Sequence, residues 1–353
     1  MLSLAALPAT ADVLRIATYD VEMNRTGPGL LLRDLLRGDD PVVAASVQAT
    51  VALKADVLVL TSFDYDLDQV ALDAFAGQLA LLGQPYPYRF SLRPNTGVPT
   101  GLDLDGDGEL GGPRDAQGYG RFSGEGGMAV LSRLPIRTGE VRDFSGFLWR
   151  DLPGALLFDG MTPEAAALQR LSTTGHWDVP IDLPGGGVLH LLAWAATPPV
   201  FDGVEDRNGR RNHDEAAFWG ALLDGALLDG ALPMAAPKPP FVLIGLGNLD
   251  PVDGDGIAAG IRALLSRPDV QDVAPRGASR RIEAGHGGDA ALDTADFSAK
   301  AGPGGLRVDY VLPSVDLTVV GAGVMWPDPS DPLAGVLATA SRHRPVWIDV
   351  DLP

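Results

Sequence analysis

Val13-Leu14-Arg15-Ile16-Ala17-Thr18-Tyr19-Asp20-Val21-Glu22-Met23-Asn24-Arg25 is the stretch from which the fold is read. Val13–Thr18 is a short apolar run, the signature of a buried strand, and two carboxylates, Asp20 and Glu22, follow it. Comparable runs recur at Asp56–Leu60, Met128–Leu131, Val188–Ala193, Phe241–Ile244, Val308–Leu312, Leu317–Val320 and Val346–Val350, with turn-forming residues near them. Helical patterns lie between them. One begins at Asp40-Pro41 and carries Val42, Val43, Val47, Val51 and Leu53; another runs from Asp66 to Leu82 with Val70, Leu72, Phe75 and Leu79. A third spans Asn212 to Leu228, with Asn212 as the N-cap and Glu215 three residues on, and a fourth spans Gly256 to Leu265. Strands alternating with helices, and neighbouring strands late in the chain, predict an α/β architecture with mixed sheets. No change of composition marks a linker, so residues 12–353 read as one domain. Gly225–Pro240 reads as a surface insertion and Arg276–Gly305 as a long irregular loop.

The bulk composition narrows the partners. The chain has 353 residues, 46% of them hydrophobic, which excludes wholesale disorder. There is no cysteine, which excludes disulfides, thiolate metal sites and a cysteine nucleophile. Acidic residues outnumber basic ones 46 to 27, for a formal charge of −19. Nucleic-acid binders neutralise phosphates with lysine and arginine, so an extensive nucleic-acid surface is not expected, whereas acidity suits solubility and divalent-cation binding. No apolar run is long enough to span a bilayer. Ala9-Thr10-Ala11 has the small-residue pattern of a signal-peptidase site, so residues 1–11 read as the remnant of a signal peptide and the protein as periplasmic or extracellular. The alternative is an ordinary terminus on a cytoplasmic protein.

Arg15–Arg25 resembles the first strand of the endonuclease/exonuclease/phosphatase superfamily, the group that includes deoxyribonuclease I. The resemblance continues in order through Val57–Phe63, Thr197-Pro198-Pro199-Val200-Phe201-Asp202-Gly203 and Glu205–Asn212, Gly245–Asn248, Arg307-Val308-Asp309-Tyr310-Val311-Leu312 and Ser341–Val346. The residues 197–212 are similar to a bacterial exported branch. The resemblance implies a four-layer sandwich of two packed mixed β-sheets flanked by helices. It also implies a carboxylate cluster at the strand ends holding one or two Mg²⁺ or Mn²⁺ ions, which polarise a phosphoryl oxygen, with an aspartate acting on the attacking water and a histidine on the phosphate.

Residue by residue, most of that machinery is missing. The position of the family's first asparagine is Asp20, with Glu22 kept after it. Ser62 stands where the metal-binding glutamate is expected, Ala195 where a histidine or tyrosine is expected, Leu246 where the aspartate of a Gly-Asp-x-Asn motif is expected, and Arg342 where an aspartate precedes the last histidine. Asn248, Asp309 and His343 survive. Serine supplies no charge for a divalent ion, leucine can neither take a proton nor align a water, and Arg342 would repel a cation. The expectation is therefore a catalytically degenerate scaffold or binding protein. The alternative is an active phosphatase or phosphodiesterase with a rearranged site built from Asp20, Glu22, Asn248, Asp309 and His343, aided by Asp64 or Asp66.

Other stretches carry chemistry of their own. Asp103-Leu104-Asp105-Gly106-Asp107-Gly108-Glu109 resembles the first half of a calcium loop, with carboxylates at alternate positions and glycines to turn the chain. The twelfth position counted from Asp103 is Arg114 instead of glutamate, and Asp115 is the residue that could fold back to serve. The competing reading is a solvated acidic turn. Asp250-Pro251-Val252-Asp253-Gly254-Asp255-Gly256 is a weaker version, competing with a plain turn. Arg207, Arg210 and Arg211 could grip phosphate by bidentate contacts, or pair with nearby acidic residues. Asp309 and His343 would form a carboxylate–imidazole pair, either functional or structural. His176-Trp177-Asp178 and His190 read as packing residues, and His213 and His286 have no partner legible in the sequence.

Overall fold

The computed structural model describes residues 13–227, 234–280, 283–298 and 302–352. The proposed signal remnant lies outside these, as does part of the 225–240 insertion. One sheet has the spatial order β12 (Thr318–Val324), β13 (Val346–Asp351), β1 (Val13–Met23), β2 (Val57–Phe63), β4 (Gly127–Ser132), β3 (Tyr88–Phe90). The second has the order β11 (Asp309–Pro313), β8 (Phe241–Leu246), β7 (Val188–Ala195), β6 (Gly175–Asp182), β5 (Arg142–Asp143). Both are mixed: β1 runs parallel to β2 but antiparallel to β13, and β7 runs parallel to β8 but antiparallel to β6. A two-stranded ribbon pairs β9 (Ala295–Asp296) with β10 (Gly305–Leu306).

Side-chain alternation builds the layers. Ile16, Val57 and Val59 join Val179, Leu191, Val242 and Ile244 in a core between the sheets. Their sequence neighbours Ala17, Tyr19, Leu58 and Leu60 face the opposite way. There they meet α1 (Leu30–Arg37), α2 (Pro41–Leu53), α3 (Val70–Leu81) and, after the short α4 (Pro163–Leu168), α5 (Arg207–Leu223) and α6 (Ala259–Leu265) elsewhere, α7 (Pro332–Ala340). On the outer face of the second sheet, Leu192, Trp194, Leu243 and Leu312 pack with Phe218, Trp219, Leu222 and Ile261 of α5 and α6. Strands buried on both faces need continuous apolar runs, which is why these were legible. The expected four-layer α/β sandwich is the observed fold.

Asp40 caps α2 as expected, accepting from the N–H groups of Val42 and Val43 at 2.8 and 3.0 Å, with Pro41 in the first turn. The helix expected from Asp66 starts at Val70, because Asp68 and Gln69 both take left-handed backbone conformations (φ 63° and 58°). The helix expected from Asn212 starts five residues earlier, at Arg207, so Asn212 is inside the helix and is no cap. Its amide donates to the carbonyls of Thr197 and Gly247 at 2.6 and 2.9 Å, tying the helix to the ends of β7 and β8. Strand β6 was not anticipated. Its Pro180 stands opposite His190, whose N–H goes to Pro240 instead, so the missing donor breaks no bond between β6 and β7.

Candidate functional site

The ends of β1 and β2 carry the first group. Their parallel register runs regularly to Asp20↔Thr61 and then shifts before Met23↔Phe63. At that irregularity Glu22 (φ 45°) and Ser62 (φ 54°) both adopt left-handed backbone, a strain that non-glycine residues tolerate only where the surroundings fix them. Asp20 is buried. One of its oxygens accepts from the hydroxyls of Ser62 (2.6 Å) and Thr61 (3.0 Å), the other from the N–H of Glu22 (3.0 Å). Burial drives its carboxyl above the usual aspartate range, against the pull of His343. Both oxygens of Glu22 are also taken. Oε1 accepts from Nε of Arg342 at 2.7 Å and from its Nη2; Oε2 accepts from the Arg342 N–H at 2.7 Å, and the Ser341 hydroxyl has one proton for either this oxygen at 3.1 Å or the Asp20 carbonyl at 2.8 Å. Burial opposes ionisation of Glu22, but the Arg342 hydrogen bonds and the His343 charge hold its carboxyl below the usual range.

The second group comes from β11 and the turn before β13. Nδ1 of His343 lies 2.9 Å from Oδ2 of Asp309, and the Thr294 hydroxyl donates to the same oxygen at 2.8 Å. Oδ1 of Asp309 is buried without a partner. Burial alone would lower the imidazole's pKa, but the charges of Asp309 and Asp20 raise it to about 9, which favours the imidazolium at neutral pH. Phe297 packs edge-on against His343, and the Arg342 guanidinium lies 5.3 Å over the Phe297 ring. Asn248, at φ 51°, donates its amide to the carbonyl of Ala196 at 2.7 Å. Ala195 and Leu246 stand opposite each other on β7 and β8, both buried in the core between the sheets. Where the resemblance led one to expect polar groups, the hydrophobic core continues. Asp64, offered as a helper, is buried and its two oxygens accept from the N–H groups of Gly126 and Arg25 at 2.9 and 2.8 Å; burial raises its pKa to about 6. Asp66 accepts from the Ala71 N–H at the start of α3. Ser341 opens the last stretch of the family resemblance without a role of its own there, and Thr294, a threonine in an irregular loop, carries no pattern that marks it.

The acidic loop and the arginines differ from expectation in detail. Ligand oxygens of Asp103, Asp105 and Asp115 lie within 4.8 Å of one another, so Asp115 does fold back and this group can hold a cation. Asp107 and Glu109 are not part of it; Asp107 instead accepts from the N–H of Glu109 at 2.8 Å. Asp250 forms the plain turn, accepting from Val252, Asp253 and Arg307 N–H groups. The three arginines expected to grip phosphate all lie in the first turns of α5 and each gives at least one donor to a backbone carbonyl. Arg211 is buried and bonds the carbonyls of Leu171, Gln117, Arg170 and Ser172; Arg210 bonds that of Glu205, and Arg207 that of Leu104. His176 is buried among Trp194, Phe218 and Trp219 and bonds the Glu215 carbonyl. His190 pairs with Asp178 at 2.7 Å, His213 with Asp214 at 2.8 Å, and His286 lies 3.5 Å from Glu283.

Two facing mixed sheets with helices outside, and an Asp–His pair at the strand ends, define the deoxyribonuclease I-like fold class. Residues 17–343 match the endonuclease/exonuclease/phosphatase family, and the chain belongs to it. Solved structures agree in fold. An endonuclease/exonuclease/phosphatase from Beutenbergia cavernae is 18% identical, with a TM-score of 0.53 over 96% of this chain and 72% of its own. A mannosyl-6-phosphatase from Bacteroides thetaiotaomicron is 16% identical, with a TM-score of 0.50 over 96% and 100%. A double mutant of beta toxin from Staphylococcus aureus with bound magnesium ions is 14% identical, with a TM-score of 0.50 over 97% and 100%. At such identities the likeness is one of fold. No curated protein matches the chain.

The divalent ion that family membership implies finds a poor donor set at the strand ends. Among the described residues, Asp103, Asp105 and Asp115 are the one group of three or more His, Asp or Glu side chains that converge closely enough for an ion. The oxygens of Asp103 and Asp115 accept only from backbone N–H groups, whereas at the strand ends Asp20 is engaged by hydroxyls and an N–H and a guanidinium stands on Glu22.

Proposed function

We propose that this chain is a catalytically degenerate member of its family, a scaffold or binding protein that does not hydrolyse phosphoesters by the family's metal-dependent route. The observation that carries the reading is the state of the strand-end carboxylates: Glu22 is paired through both oxygens with Arg342, while Ser62 contributes a hydroxyl to Asp20 where a metal-binding carboxylate is expected. Leu246 adds to it, since a buried aliphatic side chain can neither accept a proton nor orient a water. The intact Asp309–His343 pair supports one rival, an active phosphohydrolase with a rearranged site. A turnover panel of phosphomonoesters, phosphodiesters and DNA, with and without Mg²⁺ or Mn²⁺, separates the two. The degenerate scaffold gives background rates; the rival gives turnover that disappears in His343→Ala.

Two finer readings accompany this one. Ca²⁺ is the cation that suits Asp103, Asp105 and Asp115, since three carboxylates in a glycine-turned loop match its preference for several oxygens in a flexible shell. Export to the periplasm or the exterior would supply calcium at the concentration a weak site needs, and Ala9-Thr10-Ala11 is the motivation for it. Mass spectrometry of the mature N-terminus in the native host tests export; a chain retained whole in the cytoplasm contradicts it.

A further inference from the structure

We infer that the guanidinium of Arg342 is the built-in counter-cation of the strand-end carboxylates, doing for Glu22 what a bound divalent ion does in a metal-dependent site. The inference rests on the degenerate-site reading and deepens it, because it says what took the metal's place. Three observations converge. Arg342 meets Glu22 with its Nε, its Nη2 and its backbone N–H, so both carboxylate oxygens are engaged. The guanidinium is held from its other side by the Phe297 ring, 5.3 Å away, and that ring packs on His343. The neighbouring carboxylate, Asp20, is buried and satisfied by two hydroxyls and an N–H.

Arg342 is 58% exposed, so solvent screens the ion pair and its own contribution to stability is small. Its effect is on the site. A hard cation needs free carboxylate oxygens and a negative potential, and Arg342 removes both at Glu22. Delocalised charge and a planar fork suit arginine to this role; a lysine ammonium cannot make the bidentate contact.

The experiment compares the wild-type chain with Arg342→Gln and Arg342→Lys, all three carrying Asp103→Asn and Asp105→Asn so that the acidic loop is silent. Thermal melting in chelator and in Mn²⁺ is read alongside Mn²⁺ binding by electron paramagnetic resonance. The parent chain melts at one temperature in both conditions. Arg342→Gln melts close to the parent in chelator and higher in Mn²⁺, and binds Mn²⁺ at least about tenfold more tightly than the parent, equivalent to about 1.4 kcal/mol. Arg342→Lys keeps the charge but loses the bidentate contact, so its response to Mn²⁺ falls between those of the parent and Arg342→Gln. A loss in Arg342→Gln that Mn²⁺ does not restore makes Arg342 a plain structural clamp and overturns the inference. Equally tight Mn²⁺ binding by the parent overturns it as well. Neither readout uses turnover, so phosphoesterase activity in the wild type would sink the degenerate-site reading without touching this result.

Discussion

Replacing His343 by glutamine should remove a pH dependence that the wild type carries. The imidazole is 4% exposed and its Nδ1 lies 2.9 Å from Asp309, whose charge, with that of Asp20, lifts the folded pKa to about 9 despite burial. In the unfolded chain the pKa is about 6.5. A folded value raised above the unfolded one means that folding is favoured by the proton. The contribution is fully present below about pH 6.5 and is lost as pH rises through about 9. A difference of roughly 2.5 units at 1.36 kcal/mol each sets its size at about 3 kcal/mol. Urea unfolding of wild type and His343→Gln from about pH 6 to about pH 10 isolates it, because other titrating groups, such as Glu215 (raised to about 7 by burial), are common to both curves. The wild-type advantage should shrink by about 3 kcal/mol across that window. Two curves that stay parallel from end to end would refute the reasoning and place the imidazole in its neutral form.

Three further outcomes follow from other parts of the molecule. Arg211→Met keeps roughly the side-chain volume but strips the donors from three buried carbonyls and a part-buried one, so stability to urea should fall by about 3 kcal/mol or more. Leu246→Asp restores the family's residue type but buries a carboxylate in the core beside Asp309, with which position 246 is in register; it should cost about 3 kcal/mol or more and give no turnover by itself. Calcium at about 100 times its dissociation constant should stabilise the wild type by about 2.7 kcal/mol, and Asp103→Asn with Asp105→Asn should abolish that shift in thermal melting, whereas Asp107→Asn should leave it in place.

The fold was legible in the sequence because its central strands are buried on both faces. Val57–Leu60 and Phe241–Ile244 alternate between two apolar environments, so every position had to be hydrophobic and the runs could not be mistaken for loops. Strand β6 was hidden because its polar residues are satisfied from far away. Asp178 is buried between Arg142 and His190, and such partners are invisible to a local pattern. Asn212 mimicked a helix cap because the residue type fits, while its actual partners are carbonyls fifteen and thirty-five positions distant. The candidate site divides the same way. The identities of Ser62, Ala195 and Leu246 were enough to question the chemistry, but the link from Arg342 back to Glu22 spans 320 positions and needed the fold. In the acidic loop, linear spacing suggested Asp107 and Glu109. The chain reversal that brings in Asp115 depends on its two backbone contacts, to the N–H groups of Leu104 and Gly112.

The central claim is that the strand-end site does not perform metal-dependent phosphoester hydrolysis. Its most direct test is initial-rate turnover by the purified chain on a phosphomonoester, a phosphodiester and DNA, in Mg²⁺, in Mn²⁺ and in chelator, beside His343→Ala. The account predicts rates at background that neither the metals nor the substitution changes. Metal-stimulated turnover that falls to background in His343→Ala would contradict it.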